Sequence, residues 1–176
     1  MSTSIDQTLD SIVDWYEDPQ LTNERAQLLS KLAVLELCGW LEGFFDSVVM
    51  EVDSATIADS DWVAKSVLAS VHGFDYVKHL RPMLKHLLGE IVLRRVESRL
   101  EGASPGDLDR LKGLLALLWK TRCEFAHSDL VTNIASQRTF NAPSWSRTQL
   151  SSLQALMSAY RTHLLLEVAQ LNGSAS

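Results

Sequence analysis

The chain has 176 residues, 46% of them apolar and 22% charged, with a formal net charge of −6. That length suits one domain with a sizeable core, and the composition excludes a disordered or fibrous chain. No apolar run approaches the roughly 20 residues of a membrane span, and the polar, acidic start MSTSIDQTLD lacks the basic region and apolar stretch of a secretory signal, so a cytoplasmic protein is expected.

The predicted elements are helical throughout. Residues 5–17 form a short first helix that stops near Pro19. Thr22 or Asn23 is the expected N-cap of a long second helix, residues 23–52. DSATIADSD is a polar break. A third segment, residues 61–101, contains Gly73 and Pro82, where a kink or break is expected. EGASPGD is a turn, with Ser104 as cap and Pro105 at the first helical position of a fourth helix, residues 105–126. VTNIASQRTFNAPSW is expected to be a loop. SRTQLSSLQALMSAYRTHLLLEVAQL is the last helix, and residues 172–176 are a frayed tail. No internal repeat and no alternating β-branched run occurs. The expected architecture is one all-α domain over residues 1–176, an antiparallel helical bundle of four to five main helices with its core within residues 22–171.

Charge is unevenly spread. Residues 1–61 carry 13 acids and 2 bases, whereas residues 62–176 carry 9 acids and 14 bases. A basic half can meet a polyanion, and solvated helix faces give the same composition, so charge alone does not choose. The two cysteines, Cys38 and Cys123, show no ligand or redox spacing and read as free thiols in a reducing compartment.

Two charges occupy unexpected positions. At about 100° per residue, Leu111, Leu115, Leu118 and Phe125 share one face of the fourth helix, and Arg122 falls in the middle of it. An arginine there must be paired or must line a cleft, because an unpaired buried charge costs several kcal/mol. In the second helix the same counting places Glu36 among Leu29, Leu32, Ala33, Trp40 and Phe44, so Glu36 is expected to approach Arg122. A structural ion pair and a functional one fit this placement equally. His127 follows Arg122 by five residues, about 140° away on a straight helix. Both can serve one site if the helix ends near His127 or if two subunits contribute. A histidine that merely caps the helix end is the other reading.

Arg122 to His127 has the form R-x4-H at the end of a leucine-rich helix. It resembles the motif of the HEPN superfamily, small all-α domains of RNA-cleaving toxins, antiviral systems and RNA-processing enzymes. The order LSKLAVLELCGWLEGFFDSV, FDYVKHLRPMLKHLLGEIVLRRVESRL, LDRLKGLLALLWKTRCEFAH and FNAPSWSRTQLSSLQALMSAYRTHLL is similar too, so the likeness spans residues 22–170. The resemblance implies a metal-independent endoribonuclease without cofactors, the toxin or effector of a toxin–antitoxin or antiphage system. It also implies a homodimer, with Arg122 and His127 of both copies near the two-fold axis, and a cognate antitoxin or system partner protein. Arg122 and His127 would be catalytic, with Glu36 as the acidic residue that supports the arginine. Cys123 stands where active members commonly carry asparagine, and Asp129 where members controlled by adenylylation carry tyrosine. A catalytically inactive HEPN-like module that dimerises and binds a partner protein or RNA is the alternative.

The residue types suit the reaction. RNA supplies its own nucleophile in the 2′-hydroxyl, histidine exchanges protons near neutral pH, and arginine offers a planar fork to phosphate oxygens. Arg94, Arg95 and Lys120 are candidates for phosphate contacts, and Trp145, in the expected loop, for stacking on a base. His72, His79 and His86 recur every seven residues, about 10.5 Å along a helix, too far apart to share a metal ion.

Overall fold

Helix α1 (Ser4–Tyr16) places Ile5, Leu9 and Ile12 on one side, and all three are buried. The computed structural model describes residues 4–69, 71–126 and 141–173. Among these there are six α-helices and no strand, and the protein is an all-α helical bundle. Helix α2 (Asn23–Ala55) begins as expected: the Thr22 hydroxyl accepts from the Arg25 backbone N–H at 3.4 Å. Helix α3 (Ser60–Val63) is capped by Asp59 and runs into a wide turn, residues 64–68. The chain then breaks at Gly73, and a second wide turn, residues 76–80, leads into α4 (Arg81–Ala103). Helix α5 (Asp107–Ala126) follows a turn in which Gly106 takes a φ of +87°; it starts two residues later than expected, and the Ser104 carbonyl rather than its side chain receives the Asp107 N–H. Helix α6 (Pro143–Gly173) completes the described chain. No helix is long and apolar enough to cross a membrane among the described residues.

The chain forms two compact regions. The first comprises residues 1–41 and 117–152. Its core holds Leu9, Ile12, Val34, Leu37, Leu41, Leu118 and Leu150, and Arg147 of α6 grips Asp6 and Asp10 of α1 at 3.0 and 2.6 Å. The second comprises residues 42–116 and 153–176, with Phe74, Tyr76, Leu84, Leu93, Leu111, Leu115 and Leu164 at its centre. Here α2 and α6 run in the same direction, since Glu51 pairs with Arg161 and, further along both, the Ala55 carbonyl accepts from Asn172.

The sharpest bend lies at Gly89 rather than at the expected Pro82. Pro82 does not break α4; it sits in its first turn, where a missing N–H costs nothing. The helix instead doubles back at Gly89, whose φ of 78° and ψ of 164° belong to glycine almost exclusively. The reversal is visible in the contacts. Arg81 and Glu97 would lie about 24 Å apart on a straight helix, yet their side chains meet at 2.7 Å. Gly89→Ala is therefore expected to cost about 1–3 kcal/mol although an added Cβ meets no atom within 4 Å, and urea titration will read that loss.

The folded-back α4 is clasped by a charged network. Arg81 donates to Glu97 at 2.7 Å and to Glu90 at 2.8 Å. Lys85 and Arg94 converge on Glu90 as well. Glu97 also accepts from the Tyr76 hydroxyl at 2.8 Å, and that hydroxyl lies 3.3 Å from the Tyr160 hydroxyl. Burial pushes both phenols far up, so they stay neutral. The hydrogen bonds from Arg81, Arg94 and Lys85 hold the Glu90 carboxyl well below the ordinary glutamate value of 4.5. A lowered folded-state value stabilises the protein above the ordinary value, and that contribution fades as pH falls towards the folded one. Acid titration of the unfolding midpoint should thus show a loss below about pH 4.5 that is smaller in Glu90→Gln.

Candidate functional site

Helix α5 carries the expected stripe. Leu111, Leu115, Leu118 and Phe125 are buried along it, and Arg122 occupies the next place on the same face, half-buried. Lys120 and Glu124 point outward and are exposed. The Arg122 guanidinium lies over Trp119, one turn earlier, at 5.2 Å from the ring centroid. An aromatic face of this kind favours a half-buried cation by about 1–2 kcal/mol and limits the directions in which the planar fork can point. Trp119 was not singled out from the sequence, although a tryptophan three residues before an arginine on one helix is the signal for such a stack. Cys123 is half-buried with a free thiol.

The expected partner of Arg122 is not found where the helical count placed it. Glu36 is exposed, and among the described residues no hydrogen bond or ion pair joins it to Arg122. The physical reason is that α2 is apolar on more than one side. Its buried face is formed by Ala33, Val34, Leu37, Cys38 and Leu41, while Leu28, Leu32 and Leu35 lie on an exposed one. The count from Leu29 followed the margin of the wrong stripe, and Glu36 flanks the exposed one. The second correction concerns Trp145. It is half-buried in the first turn of α6, with its backbone N–H donated to the Ala142 carbonyl at 2.9 Å, and is not a loop residue. Pro143 starts that helix, consistent with proline's preference for the first position. His127 lies outside the described residues.

Arg94 and Arg95 belong to the second region, whereas Arg122, Lys120 and Trp145 belong to the first. Both are exposed on α4 and line, with Ile91, Ser98 and Arg99, a groove of about 540 Å³. Gln170 accepts from Arg99 at 2.8 Å, and the buried carboxylate of Glu167 pairs with the same arginine. Arg94 also donates to Glu90 at 2.9 Å, so part of the groove's positive charge is already met within the protein.

No protein-family model matches this chain, and comparison with curated proteins and with solved structures finds no match either.

Proposed function

We propose that the chain is a HEPN-like domain and a metal-independent endoribonuclease, the toxin or effector of a toxin–antitoxin or antiphage system in the cytoplasm. The observation that carries this reading is Arg122, a cation on the apolar stripe of α5, half-buried over Trp119 and five residues ahead of His127. The 2′-hydroxyl of the RNA attacks the adjacent phosphorus and His127 accepts its proton. The bond from phosphorus to the 5′-oxygen breaks, and the leaving oxygen takes a proton from the histidine of the second subunit. The products carry a 2′,3′-cyclic phosphate and a 5′-hydroxyl. Arg122 donates its fork to the phosphate oxygens as charge builds on them. A homodimer supplies two copies of each group, and a cognate antitoxin or system partner protein restrains the activity. Glu36 is exposed and does not reach Arg122 within one chain, so this reading gives it no role.

His127→Ala is expected to slow cleavage of an RNA oligonucleotide by about 10²- to 10⁴-fold while binding of the same RNA survives. Expression gives a second check: Arg122→Ala with His127→Ala should relieve any growth arrest that the wild-type chain causes.

A non-catalytic module that dimerises and binds a partner protein or RNA is the second reading. Two observations favour it: Cys123 follows the arginine in place of asparagine, and the expected carboxylate, Glu36, does not reach Arg122. Equal toxicity of the wild-type chain and the double variant, with no cleavage by either, would select it.

A further inference from the structure

The outward side of the first part of α2 is apolar. Leu28, Leu32 and Leu35 are 49%, 37% and 37% exposed, and their spacing of four and three residues is that of a helix–helix seam. Gly39 continues the seam, and a Cβ there would meet no atom within 4 Å, which leaves the backbone open to close approach. At the other end Trp15 of α1 is 57% exposed. Trp15, Leu21, Leu28 and Leu29 line a groove of about 360 Å³ together with Asp18 and Arg25. A helix that is apolar on both sides is ordinarily covered on both.

The charges beside this seam are regularly arranged. At about 100° per residue, Arg25 and Glu36 flank it on one side, and Glu24 and Lys31 on the other. Within residues 24–39 each flank therefore has one sign towards the start of the segment and the opposite sign towards its end. When two helices pack antiparallel about a two-fold axis, like flanks face each other, and residue positions run in opposite order. The pattern is then self-complementary.

We propose that this face binds the same face of a second copy of the chain, α2 against α2 in antiparallel. With the two-fold axis at the height of residue 30, Leu28 meets the partner's Leu32. Arg25 then stands within about one residue's rise, roughly 1.5 Å along the axis, of the partner's Glu36. Glu24 stands about five residues' rise, roughly 7.5 Å along the axis, from the partner's Lys31 on the opposite flank. The partner's Leu35 comes to the height of Arg25, beside the groove that Trp15 lines. This pairing names a surface and does not rest on the ribonuclease reading, since it forms with no RNA present.

The test is the mass in solution, by light scattering and sedimentation at micromolar concentration without RNA. The wild-type chain is expected at twice its 19.6 kDa. Leu32→Glu should run as a monomer with unchanged helicity by circular dichroism. Arg25→Glu and Glu36→Arg should each weaken the dimer by about tenfold, because each sets like charges against one another at two symmetric places. Arg25→Glu combined with Glu36→Arg should restore the wild-type dissociation constant to within about threefold, since both positions exchange sign. A monomeric wild type overturns the proposal, as does a dimer indifferent to Leu32→Glu, or a double variant no tighter than the single ones. Cleavage retained by a monomeric Leu32→Glu chain would leave this surface standing and overturn the two-subunit site of the catalytic reading, whereas a Leu32-dependent dimer that cuts no RNA would support this surface alone.

Discussion

Arg122→Lys is expected to lower the rate of RNA cleavage by about 10²- to 10³-fold while the melting temperature stays close to that of the wild type. On this otherwise apolar stripe Trp119 offers the cation the face of a ring. A lysine keeps the charge and can keep that contact, so the expected loss in folding is smaller than the loss in rate. The reaction has more to lose. A guanidinium presents parallel N–H donors to two phosphate oxygens at a fixed angle, and an ammonium on a flexible stem presents a point charge. The loss should therefore fall on the rate of a single turnover and leave the affinity for a 2′-O-methylated, uncleavable oligonucleotide within about threefold. Quench-flow or gel time courses under enzyme excess measure the first, and fluorescence anisotropy the second. A lysine variant that cuts as fast as wild type would remove Arg122 from the chemistry.

Glu97→Ala is expected to have the largest effect on stability, about 3 kcal/mol, the lower end of what removing one partner of a buried ion pair costs. The Glu97 side chain is 16% exposed, and it is shared by two donors, Arg81 at 2.7 Å and the Tyr76 hydroxyl at 2.8 Å. Its removal strips Arg81 of one of its two carboxylates and leaves the buried Tyr76–Tyr160 pair without its outer acceptor. It also unclasps the two arms of α4 that reverse at Gly89. A melting temperature lower by about 6–12 °C corresponds to that loss in a chain of this size. Glu97→Gln, which still accepts hydrogen bonds, should lose less, and Arg95→Ala, on the exposed side of the same helix, should change little. Differential scanning calorimetry of the three variants orders them.

The fold class and most helix positions were legible because periodic apolar spacing, Thr22 as a cap and the polar break before α3 all act locally. The stripe of α5 was legible for the same reason, and with it the anomaly of Arg122. The reversal at Gly89 was not. A glycine inside a helical pattern looks tolerable, and only the distant pairing of Arg81 with Glu97 makes the fold-back evident. Glu36 failed for a different reason. A helix with apolar residues on two faces gives no internal sign of which face meets the core; here Ala33, Val34, Leu37 and Leu41 are buried, and Leu28, Leu32 and Leu35 are left outside. The charged network of Arg81, Glu90 and Glu97 drew no notice as a sequence, since each member alone resembles a solvated surface residue.

The central claim is that the substrate supplies the nucleophile and that Arg122 and His127 supply the rest. It is tested most directly by incubating the protein with an RNA oligonucleotide and its 2′-O-methylated twin, each with and without excess EDTA. The account predicts that only the unmodified strand is cut, equally well with and without chelator, and that its fragments end in a 2′,3′-cyclic phosphate. Cleavage of the methylated strand, or activity that vanishes on chelation and returns with magnesium, would contradict it.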